Sequence, residues 1–284
     1  MKQFEYFSPM NVAETCTLLK EFGSDAKILA GGTDVLIELR KGSMKTPNIV
    51  IDISRIIELK GIVETESDII IKPLATHTEI GSSPIIKKYA RSLHMAVNVV
   101  GSPQIRNRGT LGGNIMNAAA CADTVPPLMS LNATVKLLSV IGERTLPFID
   151  FFIEPYKTIA EKNEILTEIR FPKLQTSAQS AFIKLGRRNA LSISRLSVAA
   201  ILQIDERGYI QEARIVPGAA FPKWQRIMEA EKLLLGHKPS KELFTEAGQK
   251  VSEMMISLTG KRWSTEYKEP VIAVLVRRVL EACS

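Results

Sequence analysis

Two glycine-rich turns constrain this chain more than any other feature: Ala30-Gly31-Gly32-Thr33-Asp34 and Gly109-Thr110-Leu111-Gly112-Gly113-Asn114. The first follows Lys27-Ile28-Leu29-Ala30, which reads as a short buried strand, and precedes a helical stretch that runs to Arg40 and stops at Gly42. Glycines at such a junction let the backbone approach a bulky anion, and the amides that open the helix can donate to it. Thr33 adds a hydroxyl. The turn is neither Gly-x-Gly-x-x-Gly nor a Walker loop, because no Gly-Lys-Ser/Thr follows. A pyrophosphate cradle and a plain tight turn with a helix cap both satisfy this motif. The second turn lies within residues 99–130, a stretch rich in Gly, Asn, Ala and Pro with few charges. That composition predicts a long ordered loop of functional use rather than regular elements. Asp123 follows Asn114, and Pro126-Pro127 come next. Thr33, Thr110 and Asn114 can serve phosphates, and Asp123 can accept from ribose-type hydroxyls. For Gly112-Gly113 the alternative is a bulge or close backbone packing. Taken together, the two turns point to a nucleotide-like ligand.

The surrounding pattern is mixed. A strand at Phe4–Phe7 leads to a helix with Asn11 as N-cap, Glu14 completing a capping box, and Gly23 closing it. Asn48–Ile53 is a further strand, so the chain opens as a βαβ-like unit. Ile62–Glu64 and Ile69–Ile71 read as a hairpin, Pro84–Asn98 as one helix, and 133–139 and 165–171 as strands. Pro172–Ser180 has no apolar periodicity and marks a boundary. Beyond it come strands at 181–185, 197–204 and 209–216, the last two joined by Asp205-Glu206-Arg207-Gly208, then helices at about 223–235, 240–257 and 265–283. The expected fold class is α+β. The expected domains are 1–175, in subdomains of about 1–55 and 56–175, and 176–284.

Composition removes other classes. A hydrophobic fraction of 45% with 24% charged residues is that of a globular chain. No apolar run approaches the roughly 18 residues of a membrane span, and Met1–Glu5 carries no apolar signal core, so a cytoplasmic location is expected. Cys16, Cys121 and Cys283 form no Cys-x-x-Cys pair, and His77, His94 and His237 share no helical spacing, so no metal site is expected. The net charge of +7 falls mostly on residues 176–284. With 6% aromatics and no recognisable module, nucleic-acid binding is not expected; an acidic partner or a solvated face is.

At three places the sequence resembles the FAD-binding subunit of the molybdenum hydroxylases, a family that includes xanthine dehydrogenase and the medium subunit of aerobic carbon monoxide dehydrogenase. They are Ile28–Asp34, Ile105–Ile115, and Asn117-Ala118 through Asp123 to Pro126-Pro127. Ala181–Arg188 and Ser197-Val198-Ala199 resemble the start of the family's C-terminal domain, so the likeness spans essentially the whole chain. It implies a two-part FAD domain of the vanillyl-alcohol-oxidase (PCMH) type followed by a small antiparallel sheet with helices. It also implies FAD contacts from Ile28, Leu29, Ala30, Gly31, Gly32, Thr33, Asp34 and Val35 around the diphosphate. Thr110, Leu111, Gly112, Gly113 and Asn114 would form a second phosphate-side loop. Asp123 would hold a polar group of the ribityl or adenosine part, and Val100, Leu166 and Lys184 would touch the cofactor. No residue of the chain is implied as catalytic. Ala119-Ala120-Cys121-Ala122-Asp123 departs from the family's usual Ser-Pro or small pair and brings Cys121 close to the implied flavin; the chain lacks cysteines for the iron–sulfur insertion of one branch.

The implied function is an electron-transfer subunit. Electrons come from a [2Fe–2S] subunit, itself fed by a molybdopterin-containing large subunit, and leave FAD for NAD or another acceptor. A stand-alone FAD-dependent oxidoreductase and a non-enzymatic scaffold are the alternatives. Lys184 is expected to place a positive charge near the flavin, and Gly32→Val or Gly112→Val to yield colourless protein by filling phosphate space.

Overall fold

The computed structural model describes residues 4–42, 47–188, 191–261 and 263–284. The chain opens with β1 (Glu5–Phe7), α1 (Val12–Phe22), β2 (Ala26–Leu29), α2 (Val35–Lys41) and β3 (Ile49–Asp52). Both β1 and β2 pair parallel to β3, which lies between them. Asn11 caps α1 by accepting from the Glu14 amide at 2.8 Å. Glu14 returns its carboxylate to the Met10 amide, also at 2.8 Å, one residue earlier than a strict capping box. Gly23 and Gly42 end their helices with positive φ, as expected. The buried side of α1, with Val12, Cys16 and Leu19, packs on Ile49 and Ile51 of β3.

Next come β4 (Ile62–Glu64), β5 (Asp68–Ile71), α3 (His77–Ser82), α4 (Pro84–Tyr89) and α5 (Arg91–Asn98). The expected single helix over Pro84–Asn98 is broken at Ala90, whose ψ of 56° leaves the helical region. Ala90 is fully buried, and no proline or glycine announces the break. The stretch 99–130 is a second correction, since it folds into α6 (Pro103–Arg106), α7 (Leu111–Asn117) and α8 (Val125–Ser130). These helices are too short to display an apolar period. Their start signals are nevertheless present: Ser102 accepts from Ile105 N, Thr110 accepts from Gly113 N, and Pro126-Pro127 open α8. Strands β6 (Thr134–Ser139), β7 (Gly142–Pro147), β8 (Phe152–Glu154), β9 (Lys157–Thr158) and β10 (Ile165–Pro172) follow. They give an antiparallel sheet ordered β4-β5-β10-β6-β7, with β8 and β9 a separate hairpin.

The remainder is β11 (Ala178–Leu185), β12 (Leu196–Ile204), β13 (Ile210–Gly218), α9 (Met228–Leu234), α10 (Lys241–Thr259) and α11 (Thr265–Glu281). The three strands form an antiparallel sheet in chain order. Gly208, at φ 84°, turns the expected hairpin. Helix α9 begins five residues later than the sequence pattern suggests. Gly248 of α10 lies against the Ala273 backbone of α11, so the two helices approach closely there. Arg214 in β13 reaches Ser130 O at 2.8 Å, and Val216 and Trp224 enter the core beneath the five-stranded sheet. Arg277, in the basic C-terminal part, pairs with Glu281 at 2.6 Å, while Arg262 lies outside the described residues. No helix among the described residues is long and apolar enough to cross a membrane.

Candidate FAD site

Ile28 and Leu29 end strand β2, in register with Ile51 and Asp52, and so aim the next residues out of the sheet. Gly32 then takes φ 75°, a left-handed turn that favours glycine. Helix α2 starts on the carbonyls of Gly32 and Asp34, which accept from Leu36, Ile37 and Glu38. The amides of Gly31, Gly32, Thr33, Asp34 and Val35 find no acceptor among the described residues. Backbone donors left unpaired in a half-buried turn are satisfied by water or by a ligand. A run of them makes an anion-binding concavity. Burial and then the Glu38 charge raise the Asp34 carboxyl above the ordinary carboxylate range.

The second turn is adjacent. A β-carbon on Gly31 would strike the Arg108 carbonyl and lie 3.1 Å from Gly109 Cα. The two glycine motifs, far apart in sequence, therefore touch backbone to backbone. Between and beside them opens a cavity of about 150 Å³, whose lining includes Ala30, Gly31, Lys60, Thr76, Arg108 and Thr110. The amides of Leu111 to Asn114 in the second turn are not available to a ligand. Leu111 N donates to Ala75 O at 2.9 Å, Gly112 N to Pro73 O at 2.8 Å and Gly113 N to Thr110 Oγ1 at 3.1 Å. Asn114 N closes onto Thr110 O at 3.0 Å. For Gly112 the structure shows the packing alternative, because a β-carbon there would lie 2.8 Å from Pro73 O. What this turn can offer is side chains: the Thr110 hydroxyl and the Asn114 amide group. Leu111 is in the core.

The other implied residues divide. Asp123, only 5% exposed, is bound at Oδ2 by Lys184 Nζ at 2.6 Å and at Oδ1 by the Ser194 hydroxyl. Lys184 also donates to Val99 O at 3.0 Å, and Arg106 holds the next carbonyl, that of Val100, at 3.0 Å. Thr124, beside Asp123, donates to Asn114 Oδ1 at 2.7 Å. Thus Asp123, Lys184, Ser194 and the Val99 carbonyl form one hydrogen-bonded group, and Asn114 and Val100 are held beside it through the chain neighbours Thr124 and Val99. Burial pushes the Asp123 carboxyl up, against the opposing pull of Lys184 and Ser194. Burial raises the Cys121 thiol, which is also near enough to Asp123, Lys184 and Asp34 to feel their charges. Leu166 stays in the core, 3% exposed, beside an irregularity in β10.

Residues 2–174 match the family described as FAD binding domain in molybdopterin dehydrogenase, and residues 180–283 match the CO dehydrogenase flavoprotein C-terminal domain. The chain belongs to this family. It is 33% identical over 283 residues to the nicotinate dehydrogenase FAD-subunit of Eubacterium barkeri, covering 98% of this chain and 95% of that one. Its identity to the carbon monoxide dehydrogenase medium chain of Hydrogenophaga pseudoflava is 31% over 280 residues, covering 99% and 96%. It superposes on a solved structure of carbon monoxide dehydrogenase from Hydrogenophaga pseudoflava with a TM-score of 0.92 at 31% identity, covering 100% and 99% of the two chains. The expected α+β fold, with a FAD-binding part followed by the family's C-terminal domain, is therefore the observed one.

For a member of this FAD-binding family, the geometry of the first turn fits the cofactor. Unpaired amides at Gly31–Val35 suit a diphosphate, and the nearby hydroxyl and carboxylate groups suit its ribose and ribityl hydroxyls. Sequence reasoning missed Ser194, Thr124 and Tyr156. Tyr156 is held at φ 65°, with its amide on Ala118 O at 2.7 Å, and its phenol is near enough to Asp34, Glu38 and Cys121 to feel their charges. No local signal marks these residues, since each joins the site through contacts that cross from another element.

Proposed function

We propose that this chain is the FAD-carrying electron-transfer subunit of a multi-subunit molybdenum hydroxylase. It takes electrons from a [2Fe–2S] partner, supplied by a molybdopterin-containing large subunit, and passes them to NAD or another acceptor. The whole-length likeness to FAD subunits supports this reading. The observation that carries it is the run of five unpaired amides at Gly31–Val35, laid directly against the second glycine motif.

In this reading Ile28, Leu29 and Ala30 lead into the cradle, and Gly31, Gly32, Thr33, Asp34 and Val35 bind the diphosphate. Thr110 and Asn114 contribute side chains. Leu111, Gly112 and Gly113 hold the second motif in place from the core side. Asp123 accepts from a cofactor hydroxyl, and Val100, Leu166 and Lys184 form the flavin end. FAD supplies the redox chemistry, so the chain needs no acid or base of its own. Its work is to bind, orient and set the local charge. The Lys184 charge is countered by Asp123 at 2.6 Å, so its pull on the flavin is weaker than that of an unpaired cation. We place the domain boundary at 175/176, in the segment between Pro172 and Ala178 that joins β10 to β11.

Purification from the native source tests the assignment. The expected product is a yellow complex carrying iron and molybdenum, whose flavin bleaches as the substrate is oxidised and is reoxidised by the acceptor. A chain that purifies alone and colourless, and takes up no added FAD, would overturn it.

A further inference from the structure

Two donors from beyond β10 reach Asp123: Lys184 at the end of β11 and Ser194 just before β12. Ser194 is 6% exposed, and its position is fixed because the next residue, Arg195, donates its amide to Leu185 O at 2.8 Å. The loop therefore returns to the very strand that carries Lys184. One carboxylate oxygen faces each donor, so the carboxylate plane is set by two points instead of one. With Lys184 alone, the flexible ammonium would leave the carboxylate free to rotate.

We propose that Ser194 is a positioning residue for the cofactor: it locks the Asp123 carboxylate in the orientation that meets FAD. This rests on the flavin reading above and adds a residue to it. Ser194 acts through Asp123 and is not a catalytic residue. A hydroxyl donating to a buried carboxylate both orients it and offsets its charge. Without it, Asp123 turns about its bond to Lys184 and carries more uncompensated negative charge toward the flavin. A more negative surrounding disfavours electron uptake.

The test uses the full chain, freed of flavin and titrated with FAD, as wild type, Ser194→Ala and Ser194→Thr. Ser194→Ala should bind FAD about tenfold more weakly, as expected for loss of a hydrogen bond to a charged group. Its bound flavin should also have a more negative midpoint potential. Ser194→Thr keeps the hydroxyl and should restore both. That variant decides the matter even if the alanine chain fails to fold, since a folded threonine variant with weaker FAD binding and a more negative potential than wild type overturns the inference. So does a Ser194→Ala protein with wild-type affinity and potential. A wild type that binds no FAD overturns the cofactor reading itself, which is a distinct result.

Discussion

Gly31 has no space for a β-carbon, because the atoms in its way are the backbone of Arg108 and Gly109, which cannot swing aside. Gly31→Ala should therefore cost about 1–3 kcal/mol in urea unfolding and reduce FAD uptake. Gly32 differs: its neighbours are the ends of Leu29 and Leu36, and the penalty for Gly32→Ala is the left-handed backbone, about 1 kcal/mol. Gly112→Val should now fail at the level of folding, against Pro73, and not by blocking a phosphate. Lys184→Met leaves the buried Asp123 without its cation and should cost about 3 kcal/mol or more; adding Asp123→Asn should recover much of that loss. Equal stability of the single and double variants would show that the pair is not coupled. His77, buried under Gly109 with an unpaired Nδ1, has its pKa lowered to about 4, by burial and then by Arg106. The unfolded chain takes this proton near 6.5. The stabilisation is therefore complete above that pH and drains as pH falls toward 4, by about 3 kcal/mol. His77→Leu should flatten this acid limb of the melting profile, and an unchanged limb would assign it to other groups.

At the scale of elements, the site is made by short pieces whose ends matter more than their lengths. Helix α7 has seven residues and starts on the Thr110 hydroxyl, which also sits on the cavity wall. Thr110→Ala should cost about 1 kcal/mol of stability through the lost cap. It should also weaken FAD binding, while Thr110→Ser preserves both; calorimetry and flavin titration read the two effects separately. The long elements were legible because α10 repeats its apolar residues over enough turns to set a period and β12 is a continuous apolar run long enough to stand out. In α6 to α8 there is no room for a period, and composition alone read as loop. Their caps and prolines were the usable signal. The break at Ala90 has none, since it is set by what packs around a fully buried residue.

At the scale of the molecule, one buried ion pair spans 61 residues and joins strand β11 to the loop before α8 at the proposed cofactor site. Filling that site should therefore stabilise the chain as a whole. At a hundredfold excess over its Kd, FAD should add about 2.7 kcal/mol, seen as a single melting transition that moves up in temperature. An unmoved transition would mean that FAD does not select the folded state. The sequence by itself determined the α+β plan, the caps of α1 and the two glycine turns, because each is written in local spacing and residue chemistry. It could not assign work within those turns. Both show glycines beside a hydroxyl, yet the first leaves its amides open while the second spends those of Leu111 to Asn114 on Ala75, Pro73 and Thr110. That difference, like the meeting of Asp123 with Lys184 and Ser194, arises from partners distant along the chain, and only packing brings such partners within hydrogen-bonding reach.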